Sequence, residues 1–228
     1  MANNVTKVNS IAIASIAKIN GQNDSDLAKI NGEEFTGVTD AHTLISTHDI
    51  ASLGASSSID ITSGIDSTYD VYEFIFTNMH PATNTVDFHV QFNAHDGSSQ
   101  LTGFNETITS TIFVAYHSES TGANTLSYDP TGTSDQAQGT AYQVLAYETG
   151  NDADQSVSGV LTLYDPSNTT YVKHFMARSN NAYASDFTID NNVAGYINTT
   201  NAITQISFKF DSGNIDAGTI KMYGLAKS

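Results

Sequence analysis

The sequence predicts an all-β fold of the antiparallel sandwich class, on two observations. Short segments alternate apolar and polar residues with a period of two, as in residues 86–92, where Val86, Phe88, Val90 and Phe92 alternate with polar side chains. This pattern buries one face of a strand and exposes the other to water. Turn dipeptides separate these segments, and no strong amphipathic helix lies between them. Because parallel strands need crossover helices, an antiparallel sandwich is favoured, with a jelly-roll-like topology as the specific prediction.

The alternating pattern recurs along the chain and predicts eight or nine strands from residue 69 onward. Residues 206–210 place Ile206, Phe208 and Phe210 in one inward row, and residues 157–163 form another. The remaining strand patterns cover residues 69–76, 108–116, 141–147, 171–177 and 215–223. The predicted turns are Asp96-Gly97, Thr121-Gly122, Asp129-Pro130, Asp165-Pro166, Asn180-Asn181 and Ser212-Gly213. A chain of 228 residues is long enough for such a sandwich to bury its core without disulfides.

The first 35 residues contain an internal repeat with a period of eleven residues. Residues 5–10, 16–21 and 27–32 share an apolar residue, a small one, Lys, a β-branched residue, Asn, and then Gly or Ser. An eleven-residue period is compatible with a helical supercoil, but the Asn-Gly that ends two repeats favours tight β-turns. We therefore expect short strands. Such a strip has little to bury by itself, so it needs a partner surface.

The repeat also defines the predicted domain division and the partner-binding residues. Residues 1–64 form the predicted anchoring segment, with a short helix within residues 39–53 and a Ser- and Gly-rich joint over residues 54–64. Residues 65–228 form the predicted sandwich. The strip is expected to bind its partner through Val5, Val8, Ile16, Ile19, Asn20, Leu27, Ile30 and Asn31.

The charge balance excludes two classes of partner. Eight basic residues stand against 24 acidic ones, for a formal net charge of −16. Nucleic acids and anionic membrane surfaces both attract Lys and Arg, so neither is an expected partner. An acidic exterior favours solubility. Residues 1–7 lack a clustered basic start, so no export signal is predicted.

No constellation of residues indicates catalysis. Cysteine is absent, which removes thiolate ligands and cysteine nucleophiles, and no nucleophile elbow or phosphate-binding glycine loop occurs. The pairs His42/His48 and His89/His95 lack the further ligands that zinc needs, so we interpret them as surface histidines. We expect a protein without enzymatic activity or a cofactor.

Two acidic loops and several tyrosines remain as candidates for ligand binding. Residues 23–26 and 151–154 offer oxygen ligands, for which calcium would be the metal, but neither matches the twelve-residue calcium loop, and solvated loops are favoured. The chain has eleven Tyr and no Trp. Six tyrosines at strand ends or in loops are candidates for partner or sugar contacts, although half-buried core positions are their commoner use: Tyr116, Tyr128, Tyr142, Tyr147, Tyr164 and Tyr183.

Three segments resemble β-sandwich proteins of tailed bacteriophages that decorate the head or associate with the tail. They are residues 67–74 with the following Asn78-Met79-His80-Pro81, residues 88–92 with the Asp96-Gly97 turn, and residues 217–224. The last segment is similar to the G-x-I-x-L-Y-G end of many phage structural chains, with Met222 in place of Leu. The Ala-Lys-Ile-Asn-Gly repeats resemble the N-termini of virion proteins from marine phages.

The resemblance implies a virion protein, made in the host cytoplasm and carried in the particle. The strip would bind other capsid or tail proteins, and the acidic sandwich would project as a capsid decoration or head fibre, within a symmetric homo-oligomer. The alternative is a tail-associated protein that binds a host-surface carbohydrate. A polysaccharide depolymerase is a further alternative, although no motif singles out a catalytic pair among the 24 carboxylates.

Overall fold

The computed structural model describes residues 42–120 and 122–225 in full, and within residues 1–41 it describes the backbone of six short strands. The chain divides into two compact units, Met1–Ala41 and His42–Ser228. Each of the two units has its own strand pairing.

Three antiparallel strand pairs make up the described part of the first unit. β1 (Lys7–Val8) pairs with β2 (Ile11–Ala12), β3 (Lys18–Ile19) with β4 (Gln22–Asn23), and β5 (Lys29–Ile30) with β6 (Glu33–Glu34). Each repeat therefore places its Lys and its β-branched residue in the first strand of a pair, with a two-residue connection to the second. The prediction of short strands in this segment is confirmed.

The described residues of the second unit form thirteen antiparallel strands and one short helix. In chain order these are β7 (His42–Asp49), α1 (Ile50–Leu53), β8 (Ile59–Ile61), β9 (Val71–Pro81), β10 (Val86–His95), β11 (Ile108–Ser118), β12 (Asn124–Tyr128), β13 (Ala137–Gly139), β14 (Gln143–Thr149), β15 (Val157–Tyr164), β16 (Lys173–Tyr183), β17 (Phe187–Ile197), β18 (Ala202–Phe210) and β19 (Ile215–Leu225). The predicted all-β, sandwich-like fold is confirmed.

The strands form two layers of one nearly closed sheet. The larger layer has the order β7-β19-β9-β15-β16-β17-β11, with β12 and β13 on β11, and the smaller layer has the order β14-β10-β18-β8. A bridge between Thr149 and Tyr183 joins β14 to β16 at one side, and a bridge between Ser56 and Ile215 joins the layers at the other. The first strands pair with the last ones in a jelly-roll-like way, whereas β15, β16 and β17 form a meander.

Inward-facing aromatic rings fill the space between the layers. Phe74 of β9 contacts Phe208 of β18 with ring centroids 5.8 Å apart, and Phe175 of β16 contacts Phe92 of β10 at 5.4 Å. The four phenylalanines predicted to point inward are all buried, which agrees with the predicted phases of β10 and β18: Phe88, Phe92, Phe208 and Phe210.

Buried polar side chains hold β14 against the inner face of the larger layer. Asn191 donates to the Asn181 side-chain oxygen at 2.8 Å, and Asn181 donates to the Tyr147 carbonyl at 2.8 Å. Asn191 also accepts the backbone N–H of Tyr147 at 3.1 Å, and Ser179 donates to the Leu145 carbonyl at 2.8 Å. Because β14 shares a single bridge with β16, these side chains supply partners that a strand ladder would otherwise provide.

Residues 42–64 belong to the sandwich, so the predicted division after residue 64 moves to Ala41. β7 pairs with β19, and β8 pairs with β18. The segment predicted as a Ser- and Gly-rich joint therefore contains β8, a strand of the smaller layer. The predicted helix is the four-residue α1, which follows β7 and is capped by Asp49. β7 is a half-buried edge strand, so the alternation that marks a buried strand is weak there.

The sequence patterns missed β17 and placed a turn at Asn180-Asn181, which lies inside β16. The inward row of these strands includes the buried polar residues Ser179, Asn181 and Asn191. These residues interrupt inward rows that are otherwise apolar, in β17 the row of Ile189, Val193 and Ile197, so the period of two is weakened. The Asp96-Gly97 turn is confirmed, because the Asp96 N–H donates to the Ser99 carbonyl at 3.1 Å.

Candidate binding surface

The outward face of the larger layer carries a band of exposed apolar side chains. The strand register places Ile75 opposite Val160 on β9 and β15, and Met176 opposite Ala194 on β16 and β17. Ile75, Phe113 and Met176 are each more than a third exposed, at 38%, 47% and 54%. Since the inward neighbours of these residues already form the core, the outward band is a candidate surface for binding.

The chain's single arginine lies beside this band in a fixed ion pair. Arg178 Nε and Nη2 donate to the two carboxylate oxygens of Asp190 at 3.0 and 2.9 Å. The hydrogen bonds raise the pKa of Arg178 and lower the pKa of Asp190. Both side chains are solvent-accessible, so the pair adds little stability. The Asp190 carboxylate does neutralise the Arg178 guanidinium, so Arg178 is not free to bind an anion.

An aromatic cleft lies at one end of the same face and is formed by Tyr164, Tyr171, His174 and Tyr196. His174 and Tyr196 are directly opposite each other on β16 and β17, with ring centroids 6.3 Å apart and an edge-on arrangement. Tyr164 ends β15, and Tyr171 lies in the next loop with 70% of its surface exposed. An exposed tyrosine offers an apolar ring and a polar hydroxyl to a ligand.

The loop over residues 165–172, which borders the aromatic cleft, is fixed by hydrogen bonds. Asn168 Oδ1 accepts the backbone N–H groups of Thr170 at 2.7 Å and Tyr171 at 2.9 Å. The Asn168 amide also donates to the Asp165 carboxylate at 2.7 Å. The main chain that carries Tyr171 is therefore held in place although its side chain is exposed.

Lys173 is a buried lysine whose ammonium group ties together the two loops beside the aromatic cleft. Its side chain is fully buried, and Nζ donates to the carbonyls of Tyr171 at 2.9 Å and Thr199 at 3.2 Å. Within the described part of the chain, none of the ion pairs includes Lys173. Burial lowers its pKa, while the charges of Asp165 and Glu106 act in the opposite direction. Burying a cation is costly, so this lysine stands out as a feature of the cleft.

Several polar groups along the aromatic cleft have no hydrogen-bond partner in the part of the chain that the structure describes. Among the described residues, the hydroxyls of Thr170, Tyr171 and Thr200 and the ring nitrogens of His174 make no hydrogen bond. Asp165 is the only charged side chain among the described residues that line the cleft. The cleft thus combines aromatic rings with free hydrogen-bonding groups.

A second cluster of titratable groups lies on the outward side of the smaller layer. Asp87 Oδ1 accepts the Glu148 N–H at 2.7 Å, and the Asp87 N–H donates to the Asp211 carboxylate at 3.2 Å. Burial raises the pKa of Asp87 to about 6, and the negative charges of Asp211 and Glu148 add to that effect. Asp87 therefore titrates well above the ordinary range of a carboxyl group.

His89 lies two residues further along β10, opposite Lys209 on β18. Burial lowers the pKa of His89 to about 4, and its Nε2 is buried with no hydrogen-bond partner among the described residues. His89 as a whole is half-buried, so the interpretation of it as a surface histidine fits only part of its side chain. Its position on an alternating strand gave the outward direction, but not its half-burial.

His80 is the histidine whose setting is nearest to that of a catalytic base. Its Nδ1 lies 2.6 Å from the Asp216 carboxylate, and its Nε2 lies 3.2 Å from the Asp152 carbonyl. In a nucleophile–histidine–carboxylate arrangement the second ring nitrogen must face the nucleophile. Here both ring nitrogens face fixed acceptors, so His80 links β9, β19 and the loop before β15.

The acidic loops give no metal centre among the described residues. No three His, Asp or Glu side chains converge there as ligands, and this part of the chain includes residues 151–154. Asp24 and Asp26 of the other acidic loop lie outside the described residues.

The predicted partner-binding residues all belong to the first unit. Val8, Ile19 and Ile30 lie in β1, β3 and β5, each in the first strand of a pair. The other five lie outside the described residues, and their role stays a prediction: Val5, Ile16, Asn20, Leu27 and Asn31.

The six tyrosines named from the sequence differ in exposure. Tyr128 and Tyr164 are exposed, at 60% and 38%, whereas Tyr116, Tyr147 and Tyr183 pack partly against the core. Tyr142 donates from its hydroxyl to Ser207 at 3.1 Å. Sequence reasoning missed Tyr171 and Tyr196 as site residues, because the first was placed inside a predicted strand and the second lies in the unrecognised β17.

Comparison with models of protein families, with curated proteins and with solved structures found no match. In the described part of the chain, no helix has the length and apolar character that crossing a bilayer requires. The strand pairs of the first unit and the outward face of the sandwich are the features that bear on function.

Proposed function

We propose that the chain is a structural protein of a tailed-phage particle that acts by binding and not by catalysis. The observation that carries the proposal is the pairing within residues 1–41, where each of three strand pairs has two residues in each strand. An isolated two-stranded ladder is at best marginally stable in water. The repeats therefore gain stability by packing on another surface, which is the behaviour of a docking strip.

The sandwich is suited to project from such an anchor. It has one continuous hydrophobic core of its own within residues 42–228, and the acidic composition of the chain keeps an exposed body soluble. These features, with the sequence resemblance, support a capsid decoration or head fibre that assembles as a homo-oligomer.

The test is incorporation into particles. Antibodies against the recombinant protein should detect it, at a fixed copy number, in phage particles purified on density gradients. A variant with Ile16, Ile19, Leu27 and Ile30 all changed to Ser should be lost from the particles, since apolar anchors carry most binding energy. A control with Ser15 and Ser25 changed to Ala should still be incorporated.

Circular dichroism of both variants should match the wild type, which separates lost docking from lost folding. Two results would contradict the proposal: absence of the wild-type protein from purified particles, and incorporation of the four-residue variant at the wild-type level.

A tail-associated receptor-binding role is the second candidate. The aromatic cleft is the observation that favours it, because a docking strip does not account for a fixed cleft with exposed rings on the sandwich. Such a protein would bind a host-surface carbohydrate.

A further inference from the structure

We infer that the aromatic cleft formed by Tyr164, Tyr171, His174 and Tyr196 binds a neutral oligosaccharide. The inference rests on the second candidate function, carbohydrate binding, and does not depend on the docking role of the strip. It assigns the ligand class and the residues that contact it.

The rings supply the first part of the recognition. A pyranose ring has apolar C–H faces and a rim of hydroxyls, so it pairs with amphipathic aromatic side chains. The cleft offers two tyrosines that are 38% and 70% exposed, Tyr164 and Tyr171. The neighbouring His174 and Tyr196 extend the aromatic surface across two adjacent strands. Exposing this much ring surface has no benefit for folding.

The polar groups supply the second part. A sugar hydroxyl both donates and accepts, and its best partners are hydroxyl, amide and imidazole groups that are not already bonded. Among the described residues, Thr170, Tyr171, Thr200 and His174 bring such unpaired groups to the cleft. A purely apolar docking partner would leave these groups without water or a partner, at a cost in free energy. The set therefore fits a hydroxyl-rich ligand.

Hydrogen bonds hold the main chain of the cleft in place before any ligand binds. Asn168 fixes the backbone of Thr170 and Tyr171. The buried Lys173 holds the carbonyls of Tyr171 and Thr199, which lie on the two loops beside the cleft. A rigid site loses less entropy on binding. Holding the two loops in place accounts for the buried ammonium group of Lys173, which the hydrophobic core does not need.

Charge narrows the ligand to the neutral class. Asp165 is the one charged residue among the described residues lining the cleft, and the nearby Arg178 is satisfied by Asp190. With a chain net charge of −16, an acidic sugar would meet repulsion and no free cation. Sialylated, uronic-acid and phosphorylated glycans are therefore disfavoured.

The test is a glycan array followed by titration calorimetry with the full-length protein. The array should carry neutral hexose and N-acetylhexosamine oligomers beside matched uronic-acid and sialylated forms. We expect binding to at least one neutral oligosaccharide. Tyr164→Ala and Tyr171→Ala should each raise the Kd for it about tenfold, as the loss of an aromatic contact implies.

Tyr128→Ala is the matched control, because Tyr128 is 60% exposed on β12 and is not among the lining residues of the cleft. It should leave the Kd unchanged, and circular dichroism should show all three variants folded. The proposal is overturned if no neutral oligosaccharide binds at millimolar concentration. It is equally overturned if acidic forms bind more tightly, or if the two cleft variants bind as well as the control.

The two proposals fail in different experiments. The strip variant with four Ser substitutions should keep its glycan affinity, whereas Tyr164→Ala and Tyr171→Ala should still enter particles. Loss of glycan binding in the strip variant, with its fold intact, would contradict the assignment of the ligand to the cleft.

Discussion

At the scale of single residues, Asp87 and His89 of β10 show how burial changes the pKa of a side chain and therefore its charge. Burial raises the pKa of Asp87 to about 6 and lowers the pKa of His89 to about 4, so both side chains are neutral in the folded protein near pH 5. In the unfolded chain both would be charged at that pH. The stability that Asp87 contributes is present below about pH 4 and is lost as the pH rises through about 6. The stability that His89 contributes is present above about pH 6.5 and is lost as the pH falls through about 4.

Asp87 and His89 thus change the free energy of unfolding with pH in opposite directions. We expect the two contributions to offset each other in the wild type. In Asp87→Asn, which keeps an oxygen for the Glu148 N–H, the free energy of unfolding should fall more steeply on acidification from pH 6.5 to 4. In His89→Gln it should rise relative to the wild type over the same range. A shift of two pKa units corresponds to at most about 3 kcal/mol. Urea unfolding at a series of pH values measures both, and the neighbours Asp211, Glu148 and Lys209 are unchanged throughout. Parallel curves for all three proteins would contradict the prediction.

At the scale of strands, close packing limits which residues a position accepts. Gly159 of β15 has no room for a side chain: a Cβ there would lie 2.7 Å from Ser179 Cα and 2.8 Å from the Phe76 ring. Gly122, by contrast, has no atom within 4 Å of the same position. The sheet and the aromatic core therefore depend on Gly159, and not on Gly122.

Gly159→Ala should accordingly lower the free energy of unfolding by about 1–3 kcal/mol, the usual cost of overpacking. Gly122→Ala should change it by less than about 0.5 kcal/mol. Denaturant unfolding of the two variants gives the comparison. Equal effects would contradict the close approach of β15 to β16 at Gly159.

The packing of the layers predicts a second contrast. The Phe88 ring contacts Phe76, Phe208 and Phe210 with centroids 5.3, 6.0 and 5.2 Å apart, so Phe88→Ala should cost about 3–5 kcal/mol in stability. Phe113 points outward and is 47% exposed, so Phe113→Ala should cost far less. Thermal or chemical unfolding measures both, and a loss below about 1 kcal/mol for Phe88→Ala would contradict the assigned strand phase.

At the scale of the whole molecule, the division after Ala41 separates a strip of short strand pairs from a body with its own core. The body also includes β7 and β8, so it starts earlier than the sequence patterns indicate. Deleting residues 1–41 should therefore leave a cooperative thermal transition with a similar midpoint, because all the described residues of the hydrophobic core lie within residues 42–228.

Calorimetry and circular dichroism of residues 42–228 check this expectation, and a shorter form, residues 65–228, is its matched contrast. The shorter form loses β7, α1 and β8, including the buried Ile50, Ile59 and Ile61, so it should unfold at a lower temperature or fail to fold. A cooperative transition at the wild-type midpoint for residues 65–228, or its absence for residues 42–228, would show that the division is misplaced.

Sequence alone determined the features that depend on neighbouring residues along the chain. Alternation in residues 86–92 and 206–210 gave the inward rows of β10 and β18, because side chains on a strand point to opposite faces in turn. Asn-Gly in the repeats gave short strands in place of a helix, because that dipeptide favours a tight turn. The all-β class and the four inward phenylalanines followed from these local rules.

Only the tertiary structure decided which distant residues meet, because strand pairing brings together positions that no local pattern links. The pairing of β16 with β17 places His174 beside Tyr196, and the course of two loops buries Lys173 between Tyr171 and Thr199. His89 is half-buried on the outer face of the smaller layer, although alternation alone would leave it in water. Asn191 interrupts the apolar inward row of β17, and β7 is only half-buried; both weaken the alternation, since local patterns detect a strand best where one whole face is apolar.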